Sequence, residues 1–372
     1  MRHFFARGQI TARAFSLLFS LLLLLPGAAP ASGAWYSLSQ LEAGATILPE
    51  ETVTGEVTLT FLGDCTLGDQ VTRRNAPLGF ARKIDQMGYD YPFRQLRRLT
   101  AGDDLTVANL ETVLSDRKLT RVSKEYNFIR SADYTGILTA GDIDCVTLAN
   151  NHTHDFGDEG YEDTQAALEA VGIAWIGTDS PAVWVSDEGL LLGFLGVSHS
   201  LVGDRYQRYR QQIQALRGLG CAAVITVMHA GTEYDYDAPD QYQRQIVERS
   251  IAGGTDLIVG HHPHVVQGYA LPEGVPVVYS LGNCSFGGTT HARDSDALAL
   301  QVVMTFSEGR LTAQQLHFYP ISITGDARYN DYSPVFLSGS DAERVLAKMK
   351  DSTGWDPGSF SDSEGAVVVV PK

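Results

Sequence analysis

The stretch Val-Gly-His-His-Pro-His-Val-Val-Gln, residues 259–267, places three of the chain's ten histidines within four positions. The residues directly before the first of these histidines, 256–260, form a run rich in the residue types that favour buried strands. One histidine there would be ordinary. Imidazoles two residues apart on a turn, however, can face one point, and neutral imidazole is the commonest metal ligand. The stretch therefore predicts a strand that ends at a metal-binding turn, provided that other strands supply further ligands.

Apolar, β-branched runs alternate with helical patterns along most of the chain. The strand-like runs lie at 56–64, 104–111, 144–151, 190–198, 222–231, 255–262 and 275–283. Helical patterns lie at 91–102, 158–172, 205–220, 238–254 and 340–350. A hairpin with a Glu-Gly turn follows residue 295. This alternation is typical of an α/β domain.

The chain divides into four segments. Residues 1–34 combine three arginines, the eleven-residue apolar run 15–25 and small residues, with candidate cleavage points after Ala31 or Ala34. We interpret this segment as a cleaved signal peptide, since the apolar run is much shorter than the ~20 residues needed to span a bilayer. An irregular lead-in (35–56), one domain (57–350) and a polar C-terminal tail (351–372) complete the prediction. The protein is therefore expected outside the cytoplasm or in the cell envelope.

Charge and cysteine content narrow the partners. The formal net charge is −16, and loss of the three leader arginines makes it about −19. Such a balance argues against nucleic acid, which requires a basic surface. The four cysteines stand in or beside apolar runs and show no zinc-knuckle spacing. Export would permit disulfides, so pairing and a role as small buried hydrophobes both stay open.

Six of the seven strand-like runs end on side chains that can bind metal or transfer protons. In α/β sheets such ends form the site, so we expect these side chains to meet at one edge. They are Asp64, Asn109, Glu111, Asn151, His152, Asp155, His229, Glu233, His262, His264 and Asn283.

The donor set combines imidazole nitrogens with carboxylate and amide oxygens and includes no thiolate. It suits Zn, Mn, Fe or Co better than Ca or Mg. The donors exceed one tetrahedral shell, which favours two ions about 3.5–4 Å apart with a carboxylate between them. Each motif alone also has a structural reading. Asp155 or Asp158 would cap the helix that begins near 158, and His261 is expected to face away from His262 and His264.

The ordered motifs GDCTLG (63–68), ANLET (108–112), LANNHTHDFG (148–157), HAGTEY (229–234), GHHPHVVQ (260–267) and SLGN (280–283) closely resemble those of the CapA family. That family is associated with poly-γ-glutamate capsule production and looks like a branch of the calcineurin-like metallophosphoesterases. The resemblance covers about 57–290. It implies a metallophosphoesterase-like four-layer α/β/β/α sandwich with two mixed sheets and a dinuclear site on one edge.

The resemblance also assigns roles by position. It implies that Asn151 is a metal ligand and His152 a general acid. Asp155, which follows in the same stretch, is a second candidate catalytic residue from its position after the strand. The implied metal ligands are Asp64, Glu111, Asn151, His229, His262 and His264, while Asn109, Glu233 and Asn283 are candidates for substrate contact or for support of the ligands. Two departures stand out. Thr66 occupies the position of a histidine, and Glu111 would replace the bridging aspartate as an oxygen donor.

Three functional readings follow. The first is an exported hydrolase of poly-γ-glutamate or capsule biosynthesis that uses metal-activated water, with an anionic polymer or phosphoester as substrate and the membrane capsule-synthesis machinery as partner. The second is a general metallophosphoesterase unrelated to capsule. The third is an assembly subunit that binds polymer without catalysis. The acidic chain would need its metals, or a helix N-terminus near 158, to hold a polyanion.

Overall fold

Nineteen strands and eight α-helices form within the residues that the computed structural model describes, which are 33–42, 53–73, 76–198, 201–237, 239–356 and 358–372. The strands are β1 (Trp35–Ser37), β2 (Gly55–Thr66), β3 (Leu105–Leu110), β4 (Val113–Leu114), β5 (Ile129–Arg130), β6 (Cys145–Thr147), β7 (Ala174–Ile176), β8 (Ala182–Val185), β9 (Leu191–Ser198), β10 (Ala223–His229), β11 (Leu257–His261), β12 (Val266–Ala270), β13 (Val277–Leu281), β14 (Asn283–Phe286), β15 (Asp296–Ser307), β16 (Arg310–Ser322), β17 (Val335–Phe336), β18 (Phe360–Ser361) and β19 (Gly365–Pro371). The helices are α1 (Leu38–Glu42), α2 (Phe80–Met87), α3 (Arg97–Thr100), α4 (Thr135–Ala140), α5 (Gly157–Ala170), α6 (Gly203–Gly218), α7 (Gln241–Gly253) and α8 (Gly339–Thr353).

Most of the strands belong to two large mixed sheets. The first has the order β1-β8-β9-β10-β11-β13-β12, with β9, β10, β11 and β13 parallel. The second has the order β18-β19-β16-β15-β2-β3-β6-β7, with β2, β3, β6 and β7 parallel. Short strands β14 and β17 pair with β2 and β16. Because βαβ crossovers connect parallel neighbours, the helices must cover the sheet faces.

Three apolar clusters show that the layers stack as helix, sheet, sheet and helix. The central cluster joins the inner faces of both sheets and includes Phe61 and Phe194. A second cluster packs helices α2–α5 on the outer face of the larger sheet, and a third packs α6 and α7 on the smaller one. The predicted four-layer sandwich with two mixed sheets is therefore confirmed.

The seven predicted strand regions all contain strands, and the Glu-Gly hairpin joins β15 to β16. Helix α7 begins at a capping box formed by Asp240 and Gln243 and ends at the left-handed Gly254, a conformation that glycine favours after a helix. The signal-peptide prediction falls mainly on residues 1–32, which lie outside the described residues. Within the described part of the chain, no helix is long and apolar enough to cross a membrane.

Three local predictions were wrong. The lead-in is not wholly irregular, because residues 35–37 add strand β1 to the edge of the smaller sheet, followed by α1. The tail contributes β19, which pairs with β16. The pattern over 91–102 yields only the short helix α3. Strand β1 is only three residues long and is organised by pairing with the edge of the sheet. Strand β19 contains four consecutive valines, a β-branched run that favours a strand and that the prediction of a polar tail missed.

Two glycines join the sheets beside the ends of β2 and β13. A Cβ atom on Gly63 would lie 2.2 Å from the carbonyl oxygen of Gly282. That carbonyl accepts a hydrogen bond from the amide of Asp64 at 3.0 Å. The close approach sets Asp64 opposite Asn283 in the β2–β14 register. Glycine is required at position 63 because any side chain would separate these two residues.

Candidate metal centre

The predicted ligands meet where parallel strands of both sheets end. Two groups of donor side chains lie within metal-binding reach among the residues that the structure describes. The first comprises Asp64, Glu111 and His229, and the second Glu233, His262 and His264. Asn151 joins the first, since its side-chain oxygen lies 3.1 Å from Nε2 of His229. The structure thus assembles the six predicted ligands and adds Glu233 to them.

The first group is buried. Nε2 of His229 lies 3.3 Å from Oε1 of Glu111. The other oxygen of Glu111 accepts a hydrogen bond from the hydroxyl of Thr66 at 3.2 Å. Thr66, the residue that departs from the phosphoesterase pattern, therefore orients a ligand instead of serving as one.

The second group is more open, because Glu233 is exposed and His262 half-buried. His262 and His264 adopt positive φ values of 98° and 57°. Such backbone conformations are uncommon for residues with a side chain and cluster at functional sites. The group supplies the face of the centre that a substrate can reach.

Asp64 connects the two groups. Its Oδ1 atom accepts a hydrogen bond from Nδ2 of Asn109 at 2.7 Å. Its Oδ2 atom lies 3.2 Å from Nδ1 of His264 and accepts the backbone N–H of His262 at 3.2 Å. Asp64 belongs to the first group and bonds to His262 and His264 of the second, so it is, together with Glu111, a candidate for the bridging position.

The ionisation of these groups is interdependent. Burial and the neighbouring charge of Asp64 raise the pKa of Glu111 to about 8. Burial alone would lower the pKa of His264, but its hydrogen bond to Asp64 and the charge of Glu111 outweigh burial and raise it to about 10. Burial alone would raise the pKa of Asp64, but its hydrogen bond to His264 and the charge of His264 outweigh burial and lower it. Burial, together with His262, places the pKa of His229 well below its usual value, so this imidazole is neutral.

This donor set fits divalent transition metals. Three carboxylates and three imidazoles stand together, and two of the carboxylates, Asp64 and Glu111, are wholly buried. Two such anions repel each other in a low-dielectric site, and a bound cation would relieve this repulsion. The nitrogen and oxygen donors suit Mn, Zn or Fe. The residues present therefore fit the pair of ions expected from the sequence.

His152 stands beside the ligands with its own partners. Its Nδ1 atom lies 3.0 Å from Oδ2 of Asp155, and its ring packs on Phe128 at 4.7 Å between centroids. Asp155 is buried and also accepts the backbone N–H of Phe128 at 2.7 Å. Because Asp155 holds Nδ1, the Nε2 end of the ring is the end left for proton transfer. Asp155 is therefore a positioning residue here rather than a helix cap.

Lys124 is a member of this arrangement that the sequence did not reveal. Its ammonium pairs with Asp155, lies 3.2 Å from Nδ1 of His152 and donates to the carbonyl oxygen of Asn151 at 2.8 Å. Burial lowers the pKa of His152 even though Asp155 favours its charged form. Lys124 lies in a loop with no periodic pattern, so local sequence carried no signal for it.

Three asparagines fix the geometry of the centre. Asn283 accepts a hydrogen bond at Oδ1 from Nδ1 of His264 at 2.9 Å, which supports its predicted place behind the ligands. Asn109 contacts Asp64 and Nδ1 of His229, the latter at 3.1 Å. Asn150 donates to Oδ1 of Asn109 at 3.0 Å.

His261 lies in neither ligand group, because its Nε2 atom bonds to the carbonyl of Leu62 at 3.1 Å.

The two-sheet sandwich, with acidic and imidazole side chains at its strand ends, defines a protein of the metallophosphoesterase-like class. Comparison with known families is more specific, since the model of the family "Bacterial capsule synthesis protein PGA_cap" matches residues 58–287. The chain belongs to this family, and the resemblance found in its motifs is confirmed.

Several relatives are about one quarter identical to the chain over the regions that align. The capsule biosynthesis protein CapA of Bacillus anthracis is 26% identical over 266 residues, covering 64% of this chain and 62% of the relative. The PGA biosynthesis protein CapA of Bacillus subtilis (strain 168) is 26% identical over 258 residues, covering 63% and 65%. A probable polyglutamine synthesis accessory protein of Mycobacterium tuberculosis is 26% identical over 249 residues, covering 57% and 65%. The chain spans less than two thirds of the length of each.

Among solved structures, GAP50, the anchor in the inner membrane complex of Plasmodium, has a TM-score of 0.33 and 10% identity, over 79% of this chain and 95% of that chain. A likeness this low carries no argument.

Proposed function

We propose that this protein is exported and acts in poly-γ-glutamate capsule biosynthesis as a metal-dependent hydrolase. The observation that carries the proposal is the meeting of two three-residue donor groups at Asp64, with His152 and Asp155 alongside. Family membership supplies the capsule context, and the names of the Bacillus relatives point to the polymer. The chain's own residues supply the chemistry.

Two divalent ions would be held by the Asp64–Glu111–His229 and Glu233–His262–His264 groups, with Asn151 as a further oxygen donor. When bound, such ions lower the pKa of water and polarise the bond that is attacked. The protein residues do the rest. Asp64 and Glu111 bring the negative charge that keeps the cations in a buried position, while Asn283 and Thr66 hold His264 and Glu111 in orientation.

His152 is the proposed proton donor to the leaving group. Hydrolysis of an amide forms a carbon–oxygen bond from water and breaks the carbon–nitrogen bond, so the departing nitrogen needs a proton. Asp155, which pairs with Lys124, accepts the N–H at Nδ1, and this leaves Nε2 for the transfer. The lowered pKa of His152 means that the substrate complex must restore its proton for it to act as an acid.

The hydrogen bonds of Gly33 and Ala34 bear on where a signal peptide would be cleaved. Gly33 donates to the carbonyl of Val185 at 2.7 Å, and Val185 donates to the carbonyl of Ala34 at 3.1 Å. Cleavage after Ala31 would retain both hydrogen bonds, whereas cleavage after Ala34 would remove both residues. We therefore favour Ala31 as the cleavage point of the signal peptide.

Purified protein stripped with EDTA and reloaded with Mn²⁺ or Zn²⁺ tests the proposal. We expect metal-dependent shortening of poly-γ-glutamate, measured by size-exclusion chromatography. Metal-dependent turnover of bis(p-nitrophenyl) phosphate without any shortening of the polymer would instead support a general phosphoesterase. Metal binding with turnover of neither substrate would support the non-catalytic assembly subunit.

A further inference from the structure

A cavity of about 470 Å³ opens beside the candidate metal centre. This volume falls within the ~300–1,000 Å³ typical of small-ligand sites. Asn151 belongs to both places, because it lines the cavity and its side-chain oxygen lies 3.1 Å from Nε2 of His229. Asn151 therefore lies at the boundary between the cavity and the metal centre.

Two arginines line the cavity. Arg205 and Arg208 come from the first turns of α6, and both are exposed. Their helix carries four arginines and one acid, Asp204, within a chain whose net charge is −16. This local reversal of charge is what an anionic ligand needs to approach an acidic protein. Guanidinium groups match carboxylates particularly well because they donate two parallel hydrogen bonds.

The other polar residues of the lining favour a polyamide over a phosphate chain. Among its described residues the cavity has one acid, Asp179, with the hydroxyls of Thr178 and Ser180 on either side of it in sequence. A carboxylate accepts hydrogen bonds from N–H groups but repels the dense negative charge of a polyphosphate. A ligand that alternates amide N–H groups with single carboxylates can satisfy both the arginines and Asp179.

We propose that this cavity binds the free carboxylates of a γ-linked glutamate chain through Arg205 and Arg208, while its amides face Asp179. The proposal rests on the proposed function, because it names the substrate class of the same centre. The polymer would then enter the centre past Asn151.

Binding to metal-free, full-chain protein tests this independently of catalysis. A fluorescein-labelled γ-linked glutamate oligomer is titrated with wild type, with Arg205→Gln/Arg208→Gln and with Arg210→Gln, and anisotropy is recorded. Arg210 is an exposed arginine of the same helix that does not line the cavity. We expect the double variant to bind at least about tenfold more weakly, since one hydrogen bond to a charged group contributes about that factor. Arg210→Gln should stay within about twofold of wild type.

Two further probes define the ligand. The same oligomer with its carboxylates converted to carboxamides should not bind, and a polyphosphate of equal charge should bind more weakly than the glutamate oligomer. Equal losses in Arg210→Gln and in the double variant would overturn the proposal, since attraction would then be non-specific. Undiminished binding by the double variant, or tighter binding of polyphosphate, would overturn it as well. Arginine-dependent binding without polymer cleavage would support the cavity and count against the hydrolase proposal alone.

Discussion

Replacement of Gly63 by alanine tests the junction that aligns the two halves of the centre. The added Cβ would lie 2.2 Å from the carbonyl oxygen of Gly282 and 3.1 Å from the carbonyl carbon of Asn283. Both are backbone atoms, so relief requires a shift of about 1 Å between β2 and β14. The same carbonyl of Gly282 accepts the amide of Asp64, and the shift would therefore also break that hydrogen bond.

The expected cost follows from these two effects. Overpacking of a filled site costs about 1–3 kcal/mol, and the lost backbone hydrogen bond adds about 1 kcal/mol. The free energy of unfolding should therefore fall by about 2–4 kcal/mol. Because Asp64 would move away from His264, Zn²⁺ should also bind more weakly to the variant.

Urea unfolding of metal-free protein, followed by tryptophan fluorescence, measures the first effect, and calorimetric titration with Zn²⁺ measures the second. Gly218→Ala is the matched control, because an added Cβ there meets nothing within 4 Å at the last residue of α6. It should be neutral or stabilising by up to about 1 kcal/mol. If Gly63→Ala unfolds within about 0.5 kcal/mol of wild type and binds Zn²⁺ equally well, the junction argument is wrong.

The remaining predictions concern individual side chains. His262→Ala should lose bound metal in elemental analysis while staying folded. His261→Ala should keep its metal and lose stability instead, because the ring of His261 bonds to the Leu62 carbonyl inside the fold. Metal loss in His261→Ala alone would contradict the choice of ligands. His152→Ala should retain metal and lose activity by about 10²–10⁴-fold, whereas Asp64→Ala should lose both, and full activity in His152→Ala would reject its role as acid. Metal affinity should rise with pH between neutrality and about 10, because His264 must release its proton to become a ligand and its pKa is raised to about 10. A competitive chelator titration in which metal affinity does not change with pH would refute this prediction. Intact-mass analysis of exported protein should find an N-terminus at residues 32–35, and exported protein that retains Met1 would exclude cleavage.

Much of the centre could be predicted from local sequence. Six of the seven predicted strand ends carry donors within a few residues of an apolar run, as with His229 at the end of β10 and His262 after β11. Parallel strands align their carboxyl ends at one edge of a sheet. The list of candidate ligands therefore needed no three-dimensional information, because residue type and position relative to an apolar run are both local properties.

The sequence could not assign the partners within the centre. Asp64 bonds to the His262 backbone across 198 positions of the chain, and this contact brings the two donor groups together at Asp64. Lys124 reaches Asp155 and His152 from a loop without pattern. Such contacts depend on how two sheets pack against each other, which no window of sequence encodes.

The sequence by itself thus determined the α/β class, the positions of seven strands along the chain and the donor chemistry at their ends. Only the tertiary structure decided that β1 and β19 join the sheets, that Gly63 and Gly282 bring Asp64 opposite Asn283, and that Arg205 and Arg208 face a cavity beside Asn151. The physical reason is the distance along the chain over which each effect acts. Propensity and periodicity act over a few residues, whereas close backbone approach, edge pairing and shared cavities depend on residues that are distant in the chain and meet only in the packed sandwich.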